Sequence, residues 1–208
     1  MTWKIFNPEP SSSLTFEWVM RQFRKIGDTN NNQITRYEDL RFPANNLTVG
    51  SSAPTVNTTY GWFEFQGNPT YNDYVFCQVQ LPHAWREGST LHPHVHWMKT
   101  TSAAGVVNWQ LDYRWVKLGD VLDASWTTLS SETPSVSDGD TQYQHALTSL
   151  GEIVLDGTEQ ISDMLVCKLS RVAPTGSSYT PDAALLEFDI HYEVDSFGSE
   201  QLFKKVAT

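Results

Sequence analysis

The residues with the most chemistry in them lie together, in Leu91-His92-Pro93-His94-Val95-His96-Trp97-Met98. On an extended strand His92, His94 and His96 share one face, with successive imidazoles about 7 Å apart. Histidines spaced two apart in this way are able to hold one divalent metal ion between them. A third donor would come from the C-terminal segment, where Asp189, His191 and Glu193 form another polar face at the same spacing. If those two strands are neighbours, His94, His96 and His191 close a site of the kind that accepts Zn²⁺ or Fe²⁺. The competing reading is a polar sheet face or subunit interface on which the same side chains hydrogen-bond to one another. Histidines gathered about a three-fold axis would carry the same signature. A motif without its context is only a hypothesis, so no metal and no cofactor is expected. His94, His96 and His191 are the residues that would hold one.

Other candidate chemistry is thinner. Asp28-Thr29-Asn30-Asn31-Asn32 begins like a calcium loop, but Gln33 stands where the sharp turn needs Gly, and Asp39 where a bidentate Glu is needed. It reads as an Asn-rich turn. There is no glycine-rich phosphate loop and no G-x-S-x-G elbow. Cys77 and Cys167 fall on apolar strand faces, where Cys behaves as a small hydrophobe, and two cysteines so far apart make no disulfide framework. The carboxylate pairs Glu187/Asp189 and Glu193/Asp195 would serve glycoside hydrolysis only if a second strand closed a cleft over them. Otherwise they solvate an outer face. Trp85 and Trp97 would stack on sugars if exposed, and belong to a β core if not. Asn46-Leu47-Thr48 and Asn57-Thr58-Thr59 are glycosylation acceptors only in a secreted protein, and the first nine residues lack a signal peptide's apolar centre.

The elements that must position these residues follow from the hydrophobic period. From Tyr60 onward the period is two, and Val107, Trp109, Leu111, Tyr113 and Trp115 alternate with polar residues in the cleanest half-buried strand. Further strands are expected at Trp62–Gln66, Tyr74–Leu81, Leu91–Lys99, Ser125–Ser130, Glu152–Leu155, Met164–Arg171 and Ala184–Val194, separated by Gly, Pro and Asn turns. About eight short strands without intervening helices predict a mainly β protein, an antiparallel β-sandwich of jelly-roll type over residues 60–208. Residues 1–59 read as an N-terminal arm. It carries one short helix at about 14–26, with Phe16, Val19, Met20, Phe23 and Ile26 at helical spacing, and is loop-rich from there.

Composition narrows the partners. The 208 residues carry a formal charge of -10, so clustered Lys and Arg for a phosphate backbone are not to be found, and no nucleic-acid partner is expected. No apolar run approaches the roughly 20 residues of a membrane helix, and a membrane partner is not expected either.

Two resemblances bear on function. Gly88, five residues, His94, any residue and His96 is similar to the first motif of the cupins, jelly-roll metalloenzymes. The following Glu is replaced by Trp97-Met98-Lys99-Thr100-Thr101, and the second cupin motif is absent. The wider resemblance is carried by Tyr37-Glu38-Asp39-Leu40-Arg41-Phe42-Pro43-Ala44, by the stretch from Gln80-Leu81-Pro82-His83-Ala84-Trp85 to His96-Trp97, and by Leu185 to Ser199. Together these resemble a family of structural proteins of tailed bacteriophages. That resemblance implies a non-enzymatic virion protein, assembled in the host cytoplasm, that decorates or cements the particle. Its partners would be major capsid, portal, neck or tail subunits, and it would form a homo-oligomer, a trimer by preference. In that family the histidine strand belongs to the fold. The alternatives from the residues are a cupin-like metal-binding enzyme using the His92–His96 strand, and a carbohydrate- or receptor-binding tail module using Trp85, Trp97 or the Asp189/Glu193 face.

Overall fold

The computed structural model describes residues 36–67, 72–122, 125–133, 141–195, 198–199 and 202. The helix expected at about 14–26 and the Asn-rich turn at 28–33 lie outside them. The described residues form eleven strands: β1 (Arg36–Pro43), β2 (Thr48–Val49), β3 (Thr55–Val56), β4 (Phe63–Phe65), β5 (Tyr74–Gln80), β6 (His92–Lys99), β7 (Val107–Val116), β8 (Thr127–Thr133), β9 (His145–Ser149), β10 (Met164–Val172) and β11 (Ala183–Val194). Each named pairing between them is antiparallel. The chain is thus a mainly β protein with two antiparallel sheets, a sandwich of jelly-roll type. One sheet runs β3-β4-β11-β6-β9, with β1 also on β11; the other runs β2-β5-β10-β7-β8.

The 12-residue β11 organises the first sheet. It pairs with β6 from Ala183 to His191 along one edge. Along the other edge it pairs with β4 through Ala183–Leu185 and with β1 through Glu187–Val194. A bulge between Leu185 and Glu187 shifts the register, so that both halves of β11 keep apolar residues inward despite the consecutive Leu185-Leu186.

Period two then sorts the side chains. Val95 and Trp97 of β6, Phe188 and Ile190 of β11, and Phe65 of β4 point inward against Trp109, Leu111, Leu165 and Leu169 of the second sheet; all are buried. Trp109 meets Phe65 edge-on at 5.1 Å and Trp97 at 6.2 Å between ring centroids, which locks the two sheets together. Trp97 Nε1 donates to Thr148 Oγ1 at 2.8 Å, so the large indole enters the core with its polar atom satisfied. Gly105, at φ +140°, lets the backbone pass where a Cβ would stand 2.4 Å from Tyr179 Cα.

The structure corrects the arm boundary. The sandwich begins at Arg36 and not at Tyr60, because residues 36–59 supply β1, β2 and β3. β1 escapes the period test because it is an edge strand with Glu38 on its inward row beside Leu40 and Phe42. Its carboxylate accepts the Tyr192 hydroxyl at 3.1 Å. Burial, and then Glu38, push the Tyr192 phenol up to about 12. The strand expected at Glu152–Leu155 is reduced to a single bridge between Ile153 and Leu91. The strand in that region is β9 instead, where Leu147 points outward and Thr148 inward, the reverse of the usual alternation. Cys77 and Cys167, far apart in sequence, are direct cross-strand partners between β5 and β10, and both are free thiols. The hydrogen bond with Cys77, and then burial, hold the Cys167 thiol well above the usual range.

Candidate functional site, the outer face of the first sheet

Because Val95 and Trp97 face the core, His92, His94 and His96 face outward, as do Asp189 and His191 of β11 and Asp39 and Arg41 of β1. Registers place Asp189 opposite His94 and also opposite Arg41, and His191 opposite His92 and also opposite Asp39. The two polar rows expected from sequence are therefore neighbours. A third strand joins them, since β9 sets Leu147 opposite His96 and His145 opposite Met98.

The strip they form is continuous. His145 stacks on His96, with centroids 5.0 Å apart and planes at 25°, and Nε2 of His145 lies 2.8 Å from Nδ1 of His96. Nε2 of His96 lies 3.2 Å from Asp189 Oδ2. One assignment satisfies both contacts: His145 Nε2–H donates to His96, and His96 Nε2–H donates to Asp189. Asp189 Oδ1 is 2.6 Å from His94 Nε2, and the His94 and His191 rings meet edge-on at 4.1 Å. His191 Nε2 then reaches Asp39 Oδ1 at 2.8 Å. His94 Nδ1–H donates to the His92 carbonyl at 3.3 Å, which fixes the ring.

The electrostatics of the central pair are set by burial. His94 and Asp189 are both buried, and burial holds His94 below the ordinary histidine range in spite of the attraction of Asp189. The same burial raises Asp189 in spite of His94, His96 and His191. In each case the cost of removing a charge from water exceeds the pairing. The three histidines expected to meet do lie on one face. Their grouping differs from expectation, because His96 turns toward His145, and Asp189 stands between it and His94. Among the described residues, the group whose donor atoms lie within 4.8 Å of one another is His94, Asp189 and His191.

Of the two roles open to Trp85 and Trp97, sugar stacking and the β core, the structure shows the second: both are buried. Among the described residues a different set of aromatics gathers at the surface: Tyr60 and Tyr143 are exposed, Trp62 is half-buried, and the three form one cluster. Tyr60 stacks on Trp62 at 4.4 Å and 16°, and Tyr143 lies 5.9 Å from Trp62 and 6.5 Å from Tyr60. The cluster is built, not incidental. The Asn57 side chain accepts the Thr59 and Tyr60 amides and donates to Glu64, while Trp62 Nε1 donates to the same Glu64 oxygen at 3.1 Å. The Asn57 motif thus shapes the β3–β4 hairpin.

Tyr143 is one of two described residues other than Gly at positive φ, at +62°. Its amide donates to the Lys99 carbonyl at 2.9 Å. For an aromatic residue that conformation costs on the order of 1 kcal/mol, and such outliers gather at binding sites. Two residues later His145 begins the strip, so aromatics and polar groups form one surface. An open polar cleft of about 490 Å³, walled by Tyr37, Arg86, Gly88, His92, Glu152 and Glu193, adjoins its other end.

No protein-family model matches the chain, and no curated protein sequence matches it. Solved structures similar to it include the CBM36-1 domain of a multidomain xylanase from the hindgut metagenome of Trinervitermes trinervoides, at 11% identity, 74% of this chain, 96% of that one and a TM-score of 0.42. A family 35 carbohydrate binding module from an environmental isolate is similar at 8% identity, over 75% and 98% of the two chains, with a TM-score of 0.45. The CBM35 from Cellvibrio japonicus Abf62 is similar at 10% identity over 74% and 92%, with a TM-score of 0.41. These are likenesses of chain path at low identity, and no ligand follows from them for this chain.

Proposed function

We propose that this chain is a non-catalytic binding module that recognises a glycan on the outer face of its first sheet. The observation that carries the reading is the Tyr60–Trp62–Tyr143 platform, held by the Asn57–Glu64 hairpin and continuous with the His145–His96–Asp189 strip. Sugar rings present C–H faces that stack on exposed aromatics, and hydroxyls that pair with imidazoles and carboxylates. This surface offers both within one strip. Its acidic and imidazole groups are already hydrogen-bonded to one another, which fixes their orientation before a ligand arrives.

The test is a glycan array probed with the untagged full chain and with Tyr143→Asn. Asn tolerates the left-handed backbone, so the variant removes the ring and keeps the turn. The expected result is a consistent set of oligosaccharide hits that weaken with Tyr143→Asn at unchanged thermal stability. An array without hits, or hits indifferent to the substitution, would sink the reading.

A second reading is supported by a different observation, and the two are compatible. The stretches that resemble tailed-phage structural proteins are distant in sequence yet adjacent in the fold. β1 and β6 pair with β11, Arg86 N–H donates to the Glu193 carbonyl at 2.8 Å, and Asp195 N–H to the Ala84 carbonyl at 3.1 Å. On this reading the module belongs to a virion, as a decoration, neck or tail component that contacts capsid or tail subunits and assembles as a trimer. Mass spectrometry of purified phage particles is then expected to find the chain at a copy number that is a multiple of three. Its absence from such particles would remove this second reading and leave the glycan reading intact.

A further inference from the structure

We propose that His94, Asp189 and His191 form a divalent transition-metal site on the outer sheet face, with one coordination position open to solvent. The inference is independent of the glycan reading. Three observations carry it. First, one donor atom from each of the three residues lies within 4.8 Å of the other two. A tetrahedral zinc centre holds its donors roughly 3.3 Å apart, from metal–ligand distances near 2.0–2.1 Å. His94 Nε2 and Asp189 Oδ1, 2.6 Å apart, would part slightly to share an ion, and His191, with 42% of its side chain exposed, has room at the solvent edge to turn toward them.

Second, Asp189 Oδ1 is buried without a hydrogen bond. His94 Nε2 stands only 2.6 Å away, yet the contact lacks hydrogen-bond angles. The other carboxylate oxygen, by contrast, has His96 as its partner. A buried carboxylate oxygen left without a hydrogen bond is destabilising, and a cation shared with His94 removes that cost.

Third, groups around the donors orient them in the way that metal ligands are oriented. His94 is turned by its Nδ1–H bond to the His92 carbonyl, Asp189 is held by His96, and His191 is paired with Asp39. Backbone carbonyls and carboxylates behind ligating imidazoles fix the ring and raise its basicity. Two imidazoles with one carboxylate suit Zn²⁺, Co²⁺ or Ni²⁺ better than Ca²⁺ or Mg²⁺, which prefer all-oxygen sets. With three protein donors the fourth position is left for water or for an oxygen of a bound molecule.

The experiment is a Co²⁺ titration of the untagged full chain after dialysis against chelator, followed by visible absorption and then by Zn²⁺ displacement. One Co²⁺ per chain, with the strong d–d bands of a tetrahedral site that Zn²⁺ abolishes, is expected. His191→Ala and Asp189→Asn should each weaken binding by at least about tenfold, the scale of altered metal sites, whereas His145→Ala should leave it within about threefold. Circular dichroism reports whether Asp189→Asn folds; if it does not, the exposed His191→Ala decides. Absence of stoichiometric Co²⁺ binding overturns the proposal, as does unchanged affinity in His191→Ala. Equal loss in His145→Ala would move the metal to the His96–His145 pair and overturns it too.

Discussion

Truncation of Trp62 to alanine is expected to weaken glycan binding by about thirtyfold or more, while the sandwich stays folded. Trp62 is the middle ring of the platform, with Tyr60 stacked on one side and Tyr143 leaning on the other. Its removal takes away the largest stacking face and releases both neighbours. Truncation of a central aromatic anchor costs about 2 kcal/mol or more in binding, and each 1.4 kcal/mol is tenfold. The effect on folding is smaller, because Trp62 is only half-buried and packs at the margin of the core. Its neighbour Phe63, and Phe65, carry the buried contacts of β4. Trp62→Phe separates stacking from the Nε1–H bond to Glu64, and is expected to recover most of the affinity. Calorimetric titration with an array hit measures all three proteins. A Trp62→Ala variant that binds within threefold of the parent would show that the platform is not the site.

Replacement of Arg171 by Met is expected to cost about 3–5 kcal/mol of stability, the scale seen when one member of a buried charged network is removed. Arg171 follows Leu165, Cys167 and Leu169 along β10, so it points into the sandwich where an apolar residue would be expected, and it is buried. Its guanidinium donates to the carbonyls of Phe65 and Pro181, each at 2.9 Å, and to that of Tyr179. These carbonyls belong to β4 and to the segment leading into β11, so one side chain ties the second sheet to the first. Burial lowers its pKa to about 10, against the pull of Asp182, Tyr179 and Asp73, which still leaves it fully charged near neutrality. Met fills the space but takes the guanidinium's hydrogen bonds away from all three carbonyls, and a buried polar group left unsatisfied costs about 1–3 kcal/mol. For a chain of this size that corresponds to a fall in Tm of roughly 6–20 °C. Arg171→Lys keeps the charge without the planar fork and should fall between the two. A Met variant that melts within about 2 °C of the parent would contradict this account of how the sheets are joined.

Period two made most of the sandwich legible in the sequence. It gave β5, β6, β7, β10 and β11 nearly to the residue, because each has one face in the core and regular Val, Leu, Trp and Phe on it. It failed where the inward row is polar or irregular. β1 carries Glu38 inward, β9 carries Thr148 inward and Leu147 outward, and β2 and β3 are only two residues long. It also could not say that Arg171 replaces an apolar residue at the end of β10, since the three carbonyls it serves come from distant segments.

The candidate site was half legible. The outward histidines and the Asp189/His191 row follow from the alternation, and their adjacency from the pairing of β6 with β11. What could not be read was which histidine leaves the group. That is decided by His145, on a strand hidden from the period. Trp85 and Trp97 are hidden by tertiary structure, as their indole N–H groups find Ser89 and Thr148 within the fold. The platform had one faint signal, the aromatics of Tyr60-Gly61-Trp62 just after Asn57. That Asn, a glycosylation acceptor only in a secreted protein, organises the hairpin.

The central claim is that ligand binds across the platform and the histidine strip. Its most direct test is a set of ¹H–¹⁵N spectra of the full chain titrated with an oligosaccharide taken from the array. The account predicts that the Trp62 indole N–H and the amides of Tyr143, His145 and His96 move together with one affinity, while the second sheet stays still. Shifts confined to β2-β5-β10-β7-β8, or a platform that no oligosaccharide perturbs, would contradict it.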